Sequence, residues 1–399
     1  MRNGQPLKTK ANIENLTAPL MLEVIDLESF ISSGDCNNKH CLLIHEYAPS
    51  LDSILKLDWG AVIIINEISP PIDNRLPIAT DLEFPNAIAS GDVIVISLKR
   101  INVLYRRSSH SNLLFVTERC DHRCIMCSQP PKEIDDTWRI NECHQLIELI
   151  DDDTTTLGVS GGEPTLLGDE LLKLIQHAKD TLPKTSLHIL TNGCAFEDFT
   201  YVSKIQTLAH PHIIWGIPIY GATPQHHDYH TQVTGSFNQT IHGLYNLGHA
   251  KQHIELRIVL TQHVVKHIED IAEFITRNLA FVETVAFMGI EPTGFARTNY
   301  QQVWCELTDY QCSLSDSVKR LQSNGIHTAL YNIPLCHLPE TLHPIAAQSI
   351  SEWKNTYRDE CNSCEKISQC SGFFQSHRQR FGHQRIIPIQ SLRSETHGI

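Results

Sequence analysis

Three cysteines close together carry the clearest chemistry in the chain: Cys120, Cys124 and Cys127, in the stretch Cys120-Asp121-His122-Arg123-Cys124-Ile125-Met126-Cys127. A loop with Cys-x3-Cys-x2-Cys spacing is short enough to turn three thiolates onto one small inorganic body. Three thiolates on a [4Fe-4S] cube leave one iron without a protein ligand, and an open iron can bind a substrate as well as carry an electron. Zinc is the rival occupant. Structural zinc sites usually close with four ligands, and His122 as the fourth would strain so short a loop. The third reading is three unrelated buried thiols, because free cysteine packs as a small apolar group.

A second group lies toward the C-terminus: Cys336, Cys361, Cys364 and Cys370, the last three at Cys-x2-Cys-x5-Cys. Four thiols in one short extension suit a second iron-sulfur cluster or a zinc ion. Cys336 precedes Cys361 by 25 residues, so Cys305 or Cys312 can replace it, or the cluster can have an open iron. Cys36 and Cys41, at Cys-x4-Cys without nearby partners, read as free thiols. In all there are 13 cysteines in 399 residues, an odd number whose grouping suits metal better than disulfides. A reducing, cytoplasmic setting is expected.

The first loop needs a strand to present it, and the apolar run 113–117 supplies one. From there to about residue 290, strands and helices alternate. Strands are expected at 113–117, 156–160, 187–190, 213–220, 254–260 and 282–288. Helices are expected at 142–150, 169–182, 202–208, 239–247 and 268–278. Six βα units imply parallel strands with right-handed crossovers, too few for a closed eight-unit barrel. Polar motifs follow the strands. Ser160-Gly161-Gly162-Glu163-Pro164 follows the second, where glycines allow close backbone approach and a carboxylate suits an ammonium group. Thr191-Asn192-Gly193 follows the third; each motif alone is also an ordinary turn. Arg257, inside the fifth strand, either points inward to an anionic ligand or snorkels at a strand edge. The stretch Tyr220–His230 holds three histidines and an aspartate, which invites a metal reading, although so polar a loop usually only meets solvent. The exit Phe287–Ala296 is broken by Gly and Pro, with Glu291 either a substrate ligand or a helix cap.

On this reading residues 1–108 form a separate strand-rich domain with apolar runs at 20–25, 41–44, 61–65 and 93–96. Breaks fall at Ser69-Pro70-Pro71 and Glu83-Phe84-Pro85, and a turn at Gly91-Asp92. It has no catalytic constellation; gripping a partner peptide and serving as scaffold both remain open. The polar stretch 106–112 marks the boundary. Residues 109–299 are the barrel core, and 300–399 a Cys-rich extension with a helix at 309–323 and a strand at 327–331. A net charge of −13 gives no nucleic-acid footprint. No run approaches the roughly 20 apolar residues of a membrane span, and residues 1–6 hold no apolar signal core.

The cysteine loop, with Gly161-Gly162-Glu163 behind it, resembles the signature of the radical S-adenosylmethionine (SAM) superfamily. The stretches 287–296, 349–355 and 385–389 narrow the resemblance to the His-Xaa-Ser system radical SAM maturases, C type, from about residue 105 to 390. The resemblance implies an open (β/α)6 barrel whose site lies at the strand C-terminal ends. It implies a SAM-binding [4Fe-4S] cluster on Cys120, Cys124 and Cys127, and SAM contacts from Met126, Gly161, Gly162, Glu163, Asn192 and Arg257. It also implies an auxiliary [4Fe-4S] cluster on Cys336, Cys361, Cys364 and Cys370. The stretch through Thr234-Gly235-Ser236-Phe237 resembles a loop that peptide-modifying members place over the site. The implied activity is one-electron cleavage of SAM to a 5′-deoxyadenosyl radical that modifies a peptide with His-Xaa-Ser repeats. The implied partners are that peptide, a companion maturase and an electron donor such as flavodoxin or ferredoxin. Two alternatives stay open: sulfatase-maturase-like oxidation of a protein side chain, and a non-catalytic iron-sulfur or zinc protein that only binds a peptide.

Overall fold

The computed structural model describes residues 6–66, 76–348, 355–377 and 381–390. The break expected at Ser69-Pro70-Pro71 and nearly all of the family-like stretch 349–355 lie outside the described residues.

The N-terminal strands are β1 (Lys8–Lys10), β2 (Asn12–Glu14), β3 (Leu20–Asp26), β4 (His40–Ile44), β5 (Ala61–Ile64), β6 (Ile78–Thr80), β7 (Val93–Ser97) and β8 (Arg100–Tyr105). They form one sheet in the order β1-β8-β7-β3-β4-β5-β6-β2. β3 to β6 run parallel, while β7, β8 and β1 continue antiparallel from β3. The four apolar runs are β3, β4, β5 and β7. β4 is buried on both faces, Cys41 and Leu43 in one apolar cluster and Leu42 and Ile44 in another, which is why it reads as an unbroken apolar run. β1, β2 and β6 are short, and two of them are polar edge strands with little periodicity to detect.

The second sheet holds β9 (Asn112–Phe115), β10 (Thr156–Ser160), β11 (Ser186–Leu190), β12 (Ile213–Pro218), β13 (His253–Val259), β14 (Thr284–Met288) and β15 (His327–Tyr331), paired in chain order. Every pairing is parallel. β9 and β15 are edges, so the sheet is an open partial barrel. β15 is the strand assigned by sequence to the C-terminal extension; here it is a seventh barrel strand, in register with β14 from Thr284↔His327 to Met288↔Tyr331. The helix Gln311–Ser323 makes the crossover, burying Leu314, Val318 and Leu321 in the barrel's core. The first helix runs Trp138–Ile147 rather than 142–150, because its buried face begins at Ile140.

Alternation along these strands separates two environments. Val159, Ile189, Trp215, Leu256 and Phe287 face the helices and are fully buried. Leu113, Gly158, His188, Leu190, Arg257 and Tyr331 face inward and line a cavity of about 610 Å³. Leu7, Val103, Leu104 and Arg106 of the N-terminal unit line the same cavity. The units are also joined by a 2.8 Å hydrogen bond between the Tyr105 and Thr154 hydroxyls, and by Arg107 against Asp151 (2.9 Å) and Asp153 (2.6 Å).

Candidate functional site

The cysteine loop leaves the C-terminal end of β9, and three other segments fix its backbone. From the β10 turn, Gly162 N donates to Thr117 O (2.7 Å) and Glu163 N to Arg119 O (2.8 Å). This contact needs glycine. A Cβ on Gly161 would lie 2.4 Å from Thr117 O, and one on Gly162 only 2.1 Å from Arg119 O and 3.1 Å from Cys120 Cβ. From beyond β12, His230 O accepts from Ile125 N (2.9 Å) and Thr231 O from Arg123 N (3.1 Å). From beyond β14, Phe295 N donates to Cys127 O (2.8 Å) and Asn299 Nδ2 to Ile125 O (2.9 Å).

Burial pushes the Cys120 thiol up to about 12, with Glu163, Asp121 and Cys127 adding to it. Cys124 is raised by burial and by the neighbouring Cys127 and Cys120, and Cys127 by burial. Without a cation these groups are neutral thiols; a bound metal would deprotonate them and take all three as ligands. His122 does not join them: its ring is buried with Nε2 3.7 Å from Cys194 Sγ. Among the described residues, the ligand triads drawn within 4.8 Å of one another contain no cysteine. Sulfurs on one zinc, at about 2.3 Å from the ion, would stand roughly 3.8 Å apart. The donor set therefore fits a body larger than a single ion.

Glu163 is 2% exposed, and its carboxylate is already engaged. Oε1 accepts from Thr165 N (3.0 Å), Thr165 Oγ1 (2.6 Å) and Thr191 Oγ1 (2.6 Å), and Oε2 from Asn192 N (2.6 Å). The carboxylate locks the β10 turn to the β11 turn, and Oε2, accepting only from Asn192 N, keeps capacity for one further donor such as an ammonium group. Asn192 extends the lock, its Nδ2 donating to Asp121 Oδ1 at 2.7 Å. Met126 is 6% exposed and packs into the barrel core beside the loop.

Arg257 points inward. Nη1 lies 2.6 Å from Glu255 Oε1, Nη2 3.1 Å from Met288 Sδ, and Glu255 Oε1 3.2 Å from His188 Nε2. Arg257 is thus a half-buried lumen residue, not an edge arginine. Glu255 is held low, the His188 and Arg257 contacts outweighing its burial. Sequence reading missed His188 and Glu255, although both are polar residues at inward positions of otherwise apolar strands. It also missed Tyr220, which is buried and near enough to feel Cys124, Cys127 and Arg257. Tyr220 thus stands between the loop and the lumen.

The stretch 220–230, expected as a loop over the site, is largely the helix Pro224–Thr231. Pro224 starts it, its missing N–H being no loss in a first turn. His227 and His230 are 1% and 0% exposed. His230 is held between His226 O and Thr261 Oγ1, 2.8 Å each. Asp228 accepts from Gly235 N, Ser236 Oγ and Phe237 N, so the 234–237 turn is bound to this helix. At the β14 exit the cap residue is Thr293, so Glu291 is not the helix cap.

The C-terminal thiols converge. Cys336 is raised to about 12 by burial and then by Cys370, Cys361 and Cys364, so the four are neighbours. Leu335 N and Gly372 N both donate to Cys370 Sγ at 3.4 Å. Cys305 is apart, its Sγ 3.6 Å from Leu260 O, and Cys312 is exposed.

A parallel partial barrel with a three-cysteine loop at the C-terminal end of its first strand defines the class. Residues 114–275 match the family described as the radical SAM superfamily, so this segment is a radical SAM domain. No curated protein matches the chain. Similar solved structures include Streptococcus suis SuiB bound to S-adenosylmethionine (14% identity, TM-score 0.45, 55% of this chain and 49% of that one). Another is anSMEcpe with bound AdoMet (15%, 0.43, 55% and 60–62%). A third is methylornithine synthase, PylB (12%, 0.41, 55% and 63%). The chain thus spans about half of SuiB's length.

Proposed function

We propose that the protein is a radical SAM enzyme that modifies a ribosomally made peptide or protein, with a His-Xaa-Ser-containing substrate as the first choice. The observation that carries this reading is the Cys120/Cys124/Cys127 loop, clamped by three segments at the mouth of the barrel, inside a segment that matches the radical SAM superfamily. When bound there, a reduced [4Fe-4S] cluster supplies the electron that cleaves the sulfur–carbon bond of SAM, leaving methionine and a 5′-deoxyadenosyl radical that takes hydrogen from the substrate.

The chain's own residues have three tasks. Gly161 and Gly162 bring the β10 turn against the cysteine loop, and we assign recognition of the SAM amino group to this Gly161-Gly162-Glu163 turn. Arg257, set in the lumen by Glu255, offers its charge to an anionic or ribose group of the ligand, and Met126 backs the adenine side. Of these residues only Arg257 also lines the cavity of about 610 Å³, whose other walls are the N-terminal unit and the strand starts at Asn112 and Thr156. Cys336, Cys361, Cys364 and Cys370 would hold a second cluster, which would supply an acceptor for the one electron that the substrate radical must lose.

The deciding experiment is anaerobic. Reconstitute the full chain, count iron and zinc, add dithionite and SAM, and follow 5′-deoxyadenosine. About eight irons per chain with 5′-deoxyadenosine supports two clusters. About four irons plus one zinc keeps the enzyme but makes the second set structural. Iron-loaded protein that forms no 5′-deoxyadenosine overturns the proposal. Mass spectrometry of a co-expressed His-Xaa-Ser peptide then tests the substrate.

A further inference from the structure

Outside the barrel mouth, a half-buried carboxylate and two buried imidazoles converge where three separate segments meet. Glu306 follows the helix Tyr300–Val303, His337 ends the turn Leu335–His337, and His383 comes from the C-terminal segment 381–390. Glu306 Oε2 lies 3.3 Å from His383 Nδ1 and 3.9 Å from His337 Nδ1. The three ligand atoms all fall within 4.8 Å of one another. Ligands about 2.0–2.2 Å from a tetrahedral zinc stand roughly 3.3–3.6 Å apart, so little movement is needed.

A hydrogen bond from His383 to Glu306 would explain that pair alone. It does not explain His337, which is 0% exposed and has no ring nitrogen in good hydrogen-bond geometry, although the Arg385 main chain lies near the ring. Its ring centroid is 3.9 Å from that of His383 at 46°, too tilted for a stack. Trp304 and Phe373 stand around the imidazoles. Glu306 Oε1 accepts from Gln384 N at 3.1 Å, which leaves Oε2 toward the two rings; for His337, burial without a well-placed partner is costly unless a cation takes its lone pair.

We propose that Glu306, His337 and His383 form a binding site for one divalent transition metal ion, zinc before others. Two neutral imidazoles and a carboxylate are borderline ligands that suit it. The site is distinct from both cysteine sets. Bound metal would fasten the C-terminal segment and the β14 exit to the turn that carries Cys336, and so hold that thiol in place.

The test treats the iron-reconstituted full chain with a mild chelator, adds one equivalent of zinc chloride, and removes the excess by gel filtration. Zinc K-edge absorption reads the first shell, which the irons do not obscure. One retained zinc with only nitrogen and oxygen at about 2.0–2.2 Å is expected. His383→Gln, remote in sequence from the cysteines, should lose that zinc while keeping the iron of the unaltered protein. Zinc should raise the melting midpoint of the unaltered protein but not of the variant. Glu306→Gln serves as a second variant should His383→Gln fold poorly. A sulfur shell, no retained zinc, or a folded variant that holds zinc as tightly as the unaltered chain would each overturn the proposal.

Discussion

Asn192 Nδ2 lies 2.7 Å from Asp121 Oδ1, so the turn after β11 grips the cysteine loop after β9 although β10 runs between them. Glu163, from the β10 turn, accepts from Asn192 N at 2.6 Å and completes the link. The cysteine loop is therefore held by its neighbours as well as by its own spacing.

Replacing Glu163 tests that link. Glu163→Gln places an amide nitrogen among donors, leaving at least one buried N–H or O–H unpartnered. A loss of about 1–3 kcal/mol is expected. The melting midpoint should fall in the absence of SAM. A variant that weakens only SAM binding, with an unchanged midpoint without SAM, would show that the carboxylate serves the ligand and not the loops.

Gly162→Ala asks whether the glycine is there for packing. Its Cβ would press on Arg119 O at 2.1 Å, and backbone cannot swing aside as a side chain can. The expected cost is about 1–3 kcal/mol. The displaced segment ends at Cys120, so iron per chain should fall before the fold is lost. Full iron loading in Gly162→Ala would refute the contact.

How much of this was legible in the sequence follows from where each signal resides. Cys120, Cys124, Cys127, Gly161 and Gly162 are recognisable because their spacing along the chain is itself the chemistry. The first six barrel strands are legible because each carries an apolar outer face. β15 was placed in the wrong unit: a strand's sequence says that it pairs, but not with which sheet. Glu163's partners, Thr191 and Asn192, lie 28 and 29 residues away, and no local pattern announces that they meet. The buried His227 and His230 were misread because polarity was taken for exposure; their partners, His226 O and Thr261, come from the tertiary fold.

Those two histidines make stability depend on pH. Burial lowers His227 to about 3 and His230 to about 4 in the folded protein, against about 6.5 unfolded. The unfolded chain thus binds protons first as pH falls. Their contribution is complete above pH 6.5 and is lost downward toward those folded values. By pH 5 each should cost about 2 kcal/mol. Urea midpoints measured anaerobically at pH 7.5 and 5 should show the fall, and His227→Phe with His230→Asn should reduce it. An unchanged slope in a folded double variant would mean that other groups carry the dependence.

Arg257→Lys separates charge from geometry. Lysine keeps the charge but not the fork that reaches both Glu255 and Met288. Iron per chain should stay constant. Product formation should fall by roughly 10- to 100-fold, the scale of a misplaced positioning group. Wild-type turnover would leave Arg257 a structural partner of Glu255.

Cys364→Ala separates the two cysteine sets. Cys336 is raised by its neighbours Cys370, Cys361 and Cys364, and Cys120, Cys124 and Cys127 sit on a separate loop, so the sets should fail independently. If the C-terminal set accepts the electron of product formation, Cys364→Ala should lose about four irons, keep 5′-deoxyadenosine formation, and lose most modified peptide. Cys124→Ala should lose 5′-deoxyadenosine and product together. Full product from Cys364→Ala, with iron halved, would leave the C-terminal set a structural fastening. Loss of 5′-deoxyadenosine in a folded Cys364→Ala would mean that the sets are coupled through the barrel.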